Sequence, residues 1–146
     1  MGIDVGAAVR ELYASSGLLW VQDGRRTYAV WFAWVPDAPG GAAAYVVNGP
    51  GEQALPWLPD EVVVVVRDPS TGGRVLRLRA RRALVEPGSD EWTTASAALA
   101  AKRRNGDEDQ LTRWRERCTI TALRPYGAPL APEDPSAASG ATSLAW

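Results

Sequence analysis

The stretch Thr27-Tyr28-Ala29-Val30-Trp31-Phe32-Ala33-Trp34-Val35 decides how this chain folds. In an extended strand, successive side chains point to opposite faces. Ala29, Trp31 and Ala33 then share one face, and Tyr28, Val30, Phe32 and Trp34 share the other. Both faces are apolar, whereas a strand with one face in water would alternate apolar and polar residues. The segment must therefore be covered on both sides. A barrel interior supplies one cover, and helices near residues 90–117 or a second subunit supply the other. Burying one tryptophan removes roughly 150–250 Å² from water, on the order of 4–6 kcal/mol gross. Leaving several uncovered is costly, and a homodimer interface is a natural solution.

Working outward, Gly17 to Gln22 reads as a strand, and Asp23-Gly24 is a strong hairpin signal leading into a return strand from Arg25 to Val35. Upstream, Asp4 can cap a short helix carrying Val5, Ala8, Val9, Leu12 and Tyr13 at helical spacing, closed by Ser15, Ser16 and Gly17. Downstream, Pro36 to Gly41 is a loop and Ala42 to Asn48 a third strand. Gly49 to Pro59, with three prolines and two glycines, is a shaped connection. Glu61 to Arg67 is a fourth strand built on five valines, and Arg74 to Val85 is a fifth, after a turn at Pro69 to Gly73. Ser89 caps a helix with Asp90 and Glu91 in its first turn, where the helix dipole favours acids. Trp92, Ala95, Ser96, Leu99 and Lys102 lie along one side of that helix, which ends near Asn105-Gly106. A short helix with Leu111 and Trp114 comes next, then a sixth strand from Cys118 to Leu123. The expectation is an α+β, mainly β domain over residues 1–125, a six-stranded antiparallel barrel with peripheral helices. Residues 126–146, rich in proline, alanine and serine, are expected to form a disordered tail.

Composition narrows the function. The chain has 146 residues, enough for one core, and contains no histidine. Ser-His-Asp and Cys-His nucleophile systems and histidine-ligated metals are excluded. The single Cys118 excludes internal disulfides and cysteine-cluster metal sites. Net charge is −1, so nothing in the total points to nucleic acid or to an anionic membrane. No apolar run is long enough to span a bilayer, and a cytoplasmic setting is expected. The charge is uneven: residues 1–61 carry three basic and seven acidic side chains, and residues 62–117 carry twelve and eight. Arg77, Arg79 and Arg81 share one face of the fifth strand, opposite Leu76, Leu78 and Ala80. That face is either solvated or an anion site, for which arginine's bidentate geometry is suited.

Several features together resemble the flavin-binding split β-barrel family, typified by pyridoxamine-phosphate oxidase and its actinobacterial, partly deazaflavin-binding, relatives. They are Gly17-Leu18-Leu19-Trp20, Asp23-Gly24-Arg25, Val30-Trp31-Phe32-Ala33-Trp34, Tyr45-Val46-Val47, the Leu58 to Val66 strand, Gly72-Gly73-Arg74, and Arg103-Arg104-Asn105 with Trp114. The resemblance covers about three quarters of the chain, Gly17 to Pro125, and rests on the order of elements more than on one motif. It implies a split β-barrel, a homodimer, and FMN or a deazaflavin bound at the subunit interface. Trp31 and Phe32 would stack on the ring, and Asn48 and Gln53 would hydrogen-bond its headgroup. Arg67, Arg77 and Arg79 would hold the anionic end. Each has a plainer reading: aromatic core, loop stabilisation, or a charged guard beside the valine strand. The chain departs from the family pattern after the third strand, where Glu52 stands in place of a phosphate-binding cation. No residue presents itself as a catalytic acid, base or nucleophile. Two functions are compatible with this: an oxidoreductase whose chemistry is carried by a flavin or deazaflavin, or a barrel without a cofactor that binds another small ligand or a partner.

Overall fold

The computed structural model describes residues 13–14, 16–24, 26–67, 75–103, 106 and 108–130. The elements are β1 (Leu18–Gln22), β2 (Thr27–Trp31), β3 (Ala33–Val35), β4 (Ala43–Asn48), β5 (Glu61–Arg67), β6 (Val75–Val85), α1 (Asp90–Lys102), α2 (Gln110–Arg117) and β7 (Thr119–Tyr126). The strands form one seven-stranded antiparallel sheet in the order β2-β1-β5-β6-β7-β4-β3. The first helix expected from sequence lies outside the described residues except for Tyr13 and Ala14, and so does the turn at Pro69 to Gly73.

Six strands are expected from sequence and seven form, because the long second strand breaks at Phe32. β2 pairs with β1 and β3 pairs with β4, so one continuous stretch joins the two ends of the sheet. The sheet curls into an α+β split half-barrel. Gln53 holds the break: the Trp31 N–H donates to Gln53 Oε1 at 3.0 Å, and Gln53 Nε2 donates to the carbonyls of Trp31 at 2.9 Å and Val47 at 3.2 Å. A side-chain amide thus replaces the strand that would otherwise satisfy Trp31's backbone.

The alternation read from the sequence carries through the break. Val30 and Phe32 are fully buried in the barrel interior with Leu19, Val21, Val64 and Leu78, and Trp34 packs against them. Tyr13 stacks on Trp34 with centroids 4.4 Å apart. Trp31, Ala33 and Val35 face outward into a second core, where Trp92, Ala95 and Leu99 of α1 and Trp114 of α2 cover Tyr45, Val47, Ile120 and Ala122. Ser89 starts α1 as expected, its Oγ accepting from the Trp92 N–H at 3.0 Å. Trp114 faces the core while Leu111 stays half exposed.

The last strand runs further than its sequence suggested, with Pro125 opposite Ala80 and Tyr126 opposite Arg79. β4 pairs with β7 only as far as Leu123, so Pro125's missing N–H lies on an open edge and costs no ladder bond. Among the described residues no helix is long and apolar enough to cross a membrane, and no group of three or more Asp, Glu, Cys or His could hold a metal.

Candidate functional site

The helices cover only half of the sheet's outer face. α1 packs chiefly on β3, β4 and β7, and α2 on β7. Across β2, β1, β5 and β6 the outward side chains are fixed by the register. One row is Trp31 beside Leu18; the next is Ala29, Trp20, Val65 and Arg77; the third is Thr27, Gln22, Val63, Arg79 and Tyr126. Leu18 is 43% exposed, and Trp20, Val63 and Val65 are half-buried. Arg67, on the same face, lies over the Trp20 ring at 5.3 Å. Apolar floor and cationic edge therefore sit together on a surface with no described helix above it.

At the hairpin end this face deepens into an open concavity of about 550 Å³, lined by Gln22, Asp23, Gly24, Glu61, Val62, Val63, Arg79 and Tyr126. Its volume falls in the ordinary range of small-molecule sites, roughly 300–1,000 Å³. The Arg81 guanidinium stacks on Tyr126 at 4.1 Å, and the Tyr126 hydroxyl donates to Glu61. Arg81 and Glu61 are thus spent on positioning Tyr126. Arg79 is exposed and has no ion pair among the described residues.

The loop after β4 is built differently from a phosphate cradle. The Glu52 side chain is 1% exposed, and one oxygen, Oε2, accepts from Arg103 Nε at 2.9 Å, Arg113 Nη2 at 3.2 Å and Trp114 Nε1 at 2.9 Å. Glu52 points into the fold, as the anchor that ties the loop to the end of α1 and to α2. Its charge is compensated by two arginines. Gly49 and Gly51 are closed off as well: a Cβ on Gly49 would lie 2.9 Å from Cys118 Sγ, and one on Gly51 would lie 3.0 Å from Arg113 Nε. The Cys118 thiol is pushed up by burial first and by the Glu52 charge second, with Arg113 opposing.

The structure separates the seven residues singled out from sequence. Trp31, Arg67, Arg77 and Arg79 share the outer face. Asn48 lies across the barrel wall in a small hollow of about 70 Å³ with Trp57, Arg82, Leu84, Thr119 and Thr121. Phe32 is fully buried in the interior core, edge-on to Tyr13, and reaches no surface. Gln53 is committed to backbone. Sequence reasoning missed Trp20, Tyr126 and the anchoring role of Glu52. Strand alternation could have placed Trp20 beside Val65. Nothing local signals Glu52's partners, which lie 51 to 62 residues further along the chain.

No family model matches this chain, and no curated protein matches it by sequence. Solved structures do. HutZ, described as the heme storage protein from Vibrio cholerae, superposes with a TM-score of 0.57 at 11% identity, covering 88% of this chain and 95% of that one. A candidate 5-nitroimidazole antibiotic resistance protein from Bacteroides thetaiotaomicron gives 0.57 at 10%, covering 86% and 82%. A candidate pyridoxamine 5'-phosphate oxidase from Listeria innocua gives 0.51 at 14%, covering 87% and 98%. The chain has the split-barrel fold of these proteins.

Proposed function

We propose that this chain binds a flat, anionic cofactor of the flavin class, FMN or a deazaflavin, on the uncovered outer face, with a second copy of the chain closing the site. The observation that carries the reading is the coincidence of an apolar floor (Leu18, Trp20, Val63, Val65) with Arg67, Arg77 and Arg79 beside a 550 Å³ concavity. Ring systems favour offset stacking on such floors, and guanidinium groups suit phosphate or carboxylate. The residues present fit the class on this face. They do not fit a phosphate held by the Gly49 to Gln53 loop, which Glu52 and Gln53 have closed.

The bound group would supply hydride or electron transfer. The chain's part is to hold and orient it: Trp20 and Val65 support the ring, Arg79 faces the anionic end, and the apolar rows exclude water. HutZ is named for heme, but the histidine that commonly holds haem iron is absent from this chain. The second reading is a barrel that binds a non-redox ligand on the same face, favoured by the absence of any acid, base or nucleophile free for chemistry among the described residues lining it.

The test is the absorbance of freshly purified protein between 350 and 500 nm, with FMN titration followed by flavin fluorescence and light scattering for the assembly. A dimer that quenches flavin is expected. Leu18→Asp with Val65→Asp should give monomer and abolish binding. A colourless protein that ignores FMN at high micromolar concentration refutes the cofactor reading, and a monomer refutes the closed site.

A further inference from the structure

At one end the interior side of the barrel turns polar. Strand alternation puts Asn48 of β4, Thr119 and Thr121 of β7, and Arg82 and Leu84 of β6 on the side that carries Val46, Leu78 and Leu123. Cross-strand register sets Thr119 beside Asn48 and Leu84 beside Thr121. Deeper in, that side is closed by the apolar core; here it forms the hollow of about 70 Å³, with residues 55–58 as its other wall. The side chains of Asn48, Thr119 and Thr121 make no hydrogen bond among the described residues, although Thr121 is only 4% exposed. A polar group buried this deeply normally has a partner, so the Thr121 hydroxyl at this hollow is a donor without an acceptor.

The rim of the hollow is apolar and faces solvent, with Trp57 74% and Leu84 45% exposed. Arg82 fixes that rim. Its guanidinium lies over the Trp57 ring at 4.6 Å, while its Nη2 is 3.0 Å from Asp60 Oδ1 and its Nε donates to the Pro59 carbonyl at 3.4 Å. The Arg82 side chain is 10% exposed and is the one charged group lining the hollow; Asp60, 91% exposed, stands outside it. We infer that this end of the barrel binds a small aromatic carboxylate, a site separate from the outer face and independent of the function proposed above. The ring lies on Trp57 and Leu84, where offset stacking is favourable. The carboxylate enters the hollow, accepting from the hydroxyls of Thr121 and Thr119 and from the Asn48 amide, beside the charge of Arg82. All three polar groups can donate, and a carboxylate only accepts; hydrogen bonds to an ionised acceptor are the stronger kind. An ammonium group would face the Arg82 charge with no acid lining the hollow to receive it. The hollow has room for about two waters at their liquid volume, which suits a carboxylate and excludes a flavin ring.

The experiment titrates the full chain with benzoate, benzamide and benzylamine, followed by ¹⁵N NMR and tryptophan fluorescence. Benzoate should shift the amides of Asn48, Thr119, Thr121 and Leu84 saturably, with a Kd on the order of 1 mM for so small a ligand. Benzamide should bind about threefold more weakly or worse, and benzylamine should leave these signals in place. Thr121→Val keeps the shape of the side chain and removes the donor, and should weaken benzoate about tenfold. Trp57→Ala, at an exposed position, should weaken it by a similar factor and abolish the fluorescence response. FMN titration of Thr121→Val should match the parent, so a failure on either face leaves the other reading standing. The inference is overturned if benzoate gives no saturable shift in the parent, if benzamide or benzylamine binds as well as benzoate, or if neither variant weakens benzoate. In each of those cases the hollow at the barrel end holds water and nothing more specific.

Discussion

Replacing Glu52 tests how this fold is held at the point where sequence alone suggests a ligand. One carboxylate oxygen carries Arg103, Arg113 and Trp114 Nε1, and the carboxylate is 1% exposed. Glu52→Ala leaves the indole N–H of the fully buried Trp114 without an acceptor, at about 1–3 kcal/mol. It also removes the carboxylate from two guanidinium groups. These are 26% and 21% exposed, so water screens part of their loss and about 0.5–1 kcal/mol each is appropriate. The total is about 2–5 kcal/mol. For a domain of this size that is a fall in Tm of about 5–20 °C. Glu52→Gln keeps one acceptor and loses the charge, so it should cost about half as much. Glu52→Lys places a third cation beside two arginines and should be the worst of the three. Urea unfolding read by tryptophan fluorescence gives each value, with the slope confirming an unchanged two-state transition. If Glu52→Ala stays within about 0.5 kcal/mol of the parent, or Glu52→Lys folds and gains flavin binding, the loop is a ligand cradle after all and the anchoring argument fails.

Three further outcomes are expected in the same region. Gln53→Ala removes three hydrogen bonds at the strand break and should cost about 2–3 kcal/mol in urea, with faster amide exchange at Trp31. Gly49→Ala must place a Cβ 2.9 Å from Cys118 Sγ at a φ of +139°, and about 2–4 kcal/mol of lost stability is expected by thermal unfolding. Cys118 should react with iodoacetamide at pH 8 more slowly than a free thiol, and faster in Glu52→Gln, because burial and the Glu52 charge both disfavour thiolate. Since its folded pKa is raised, the thiol's contribution to stability is full below the unfolded pKa. It is lost as pH rises through the folded one, so the urea midpoint should decline at alkaline pH and decline less in Cys118→Ala.

Much of the architecture was legible because it depends on local rules. The two apolar faces of residues 28–34, the Asp23-Gly24 hairpin, the five-valine strand and the Ser89 cap each arise from periodicity or turn chemistry, and each stands where it was expected. The break at Phe32 was not legible. A strand of alternating apolar residues reads the same whether it pairs with one neighbour or passes from one end of a curled sheet to the other. Only Gln53, arriving from more than 20 residues downstream, satisfies the backbone that the break exposes.

By itself, the sequence determined that the chain would build an antiparallel α+β barrel, that histidine chemistry, internal disulfides and cysteine clusters were excluded, and that arginines would line one face of the fifth strand. Tertiary structure decided which of the candidate residues meet. It set Trp31, Arg67, Arg77 and Arg79 on one outer face, with Trp31 at the edge of the helix-covered core, put Phe32 and Glu52 inside, and spent Gln53 on the chain itself. The reason is physical: alternation along a strand assigns a side chain to a face, but whether that face ends in water, under a helix or against a half-buried arginine depends on contacts 50 or more residues apart.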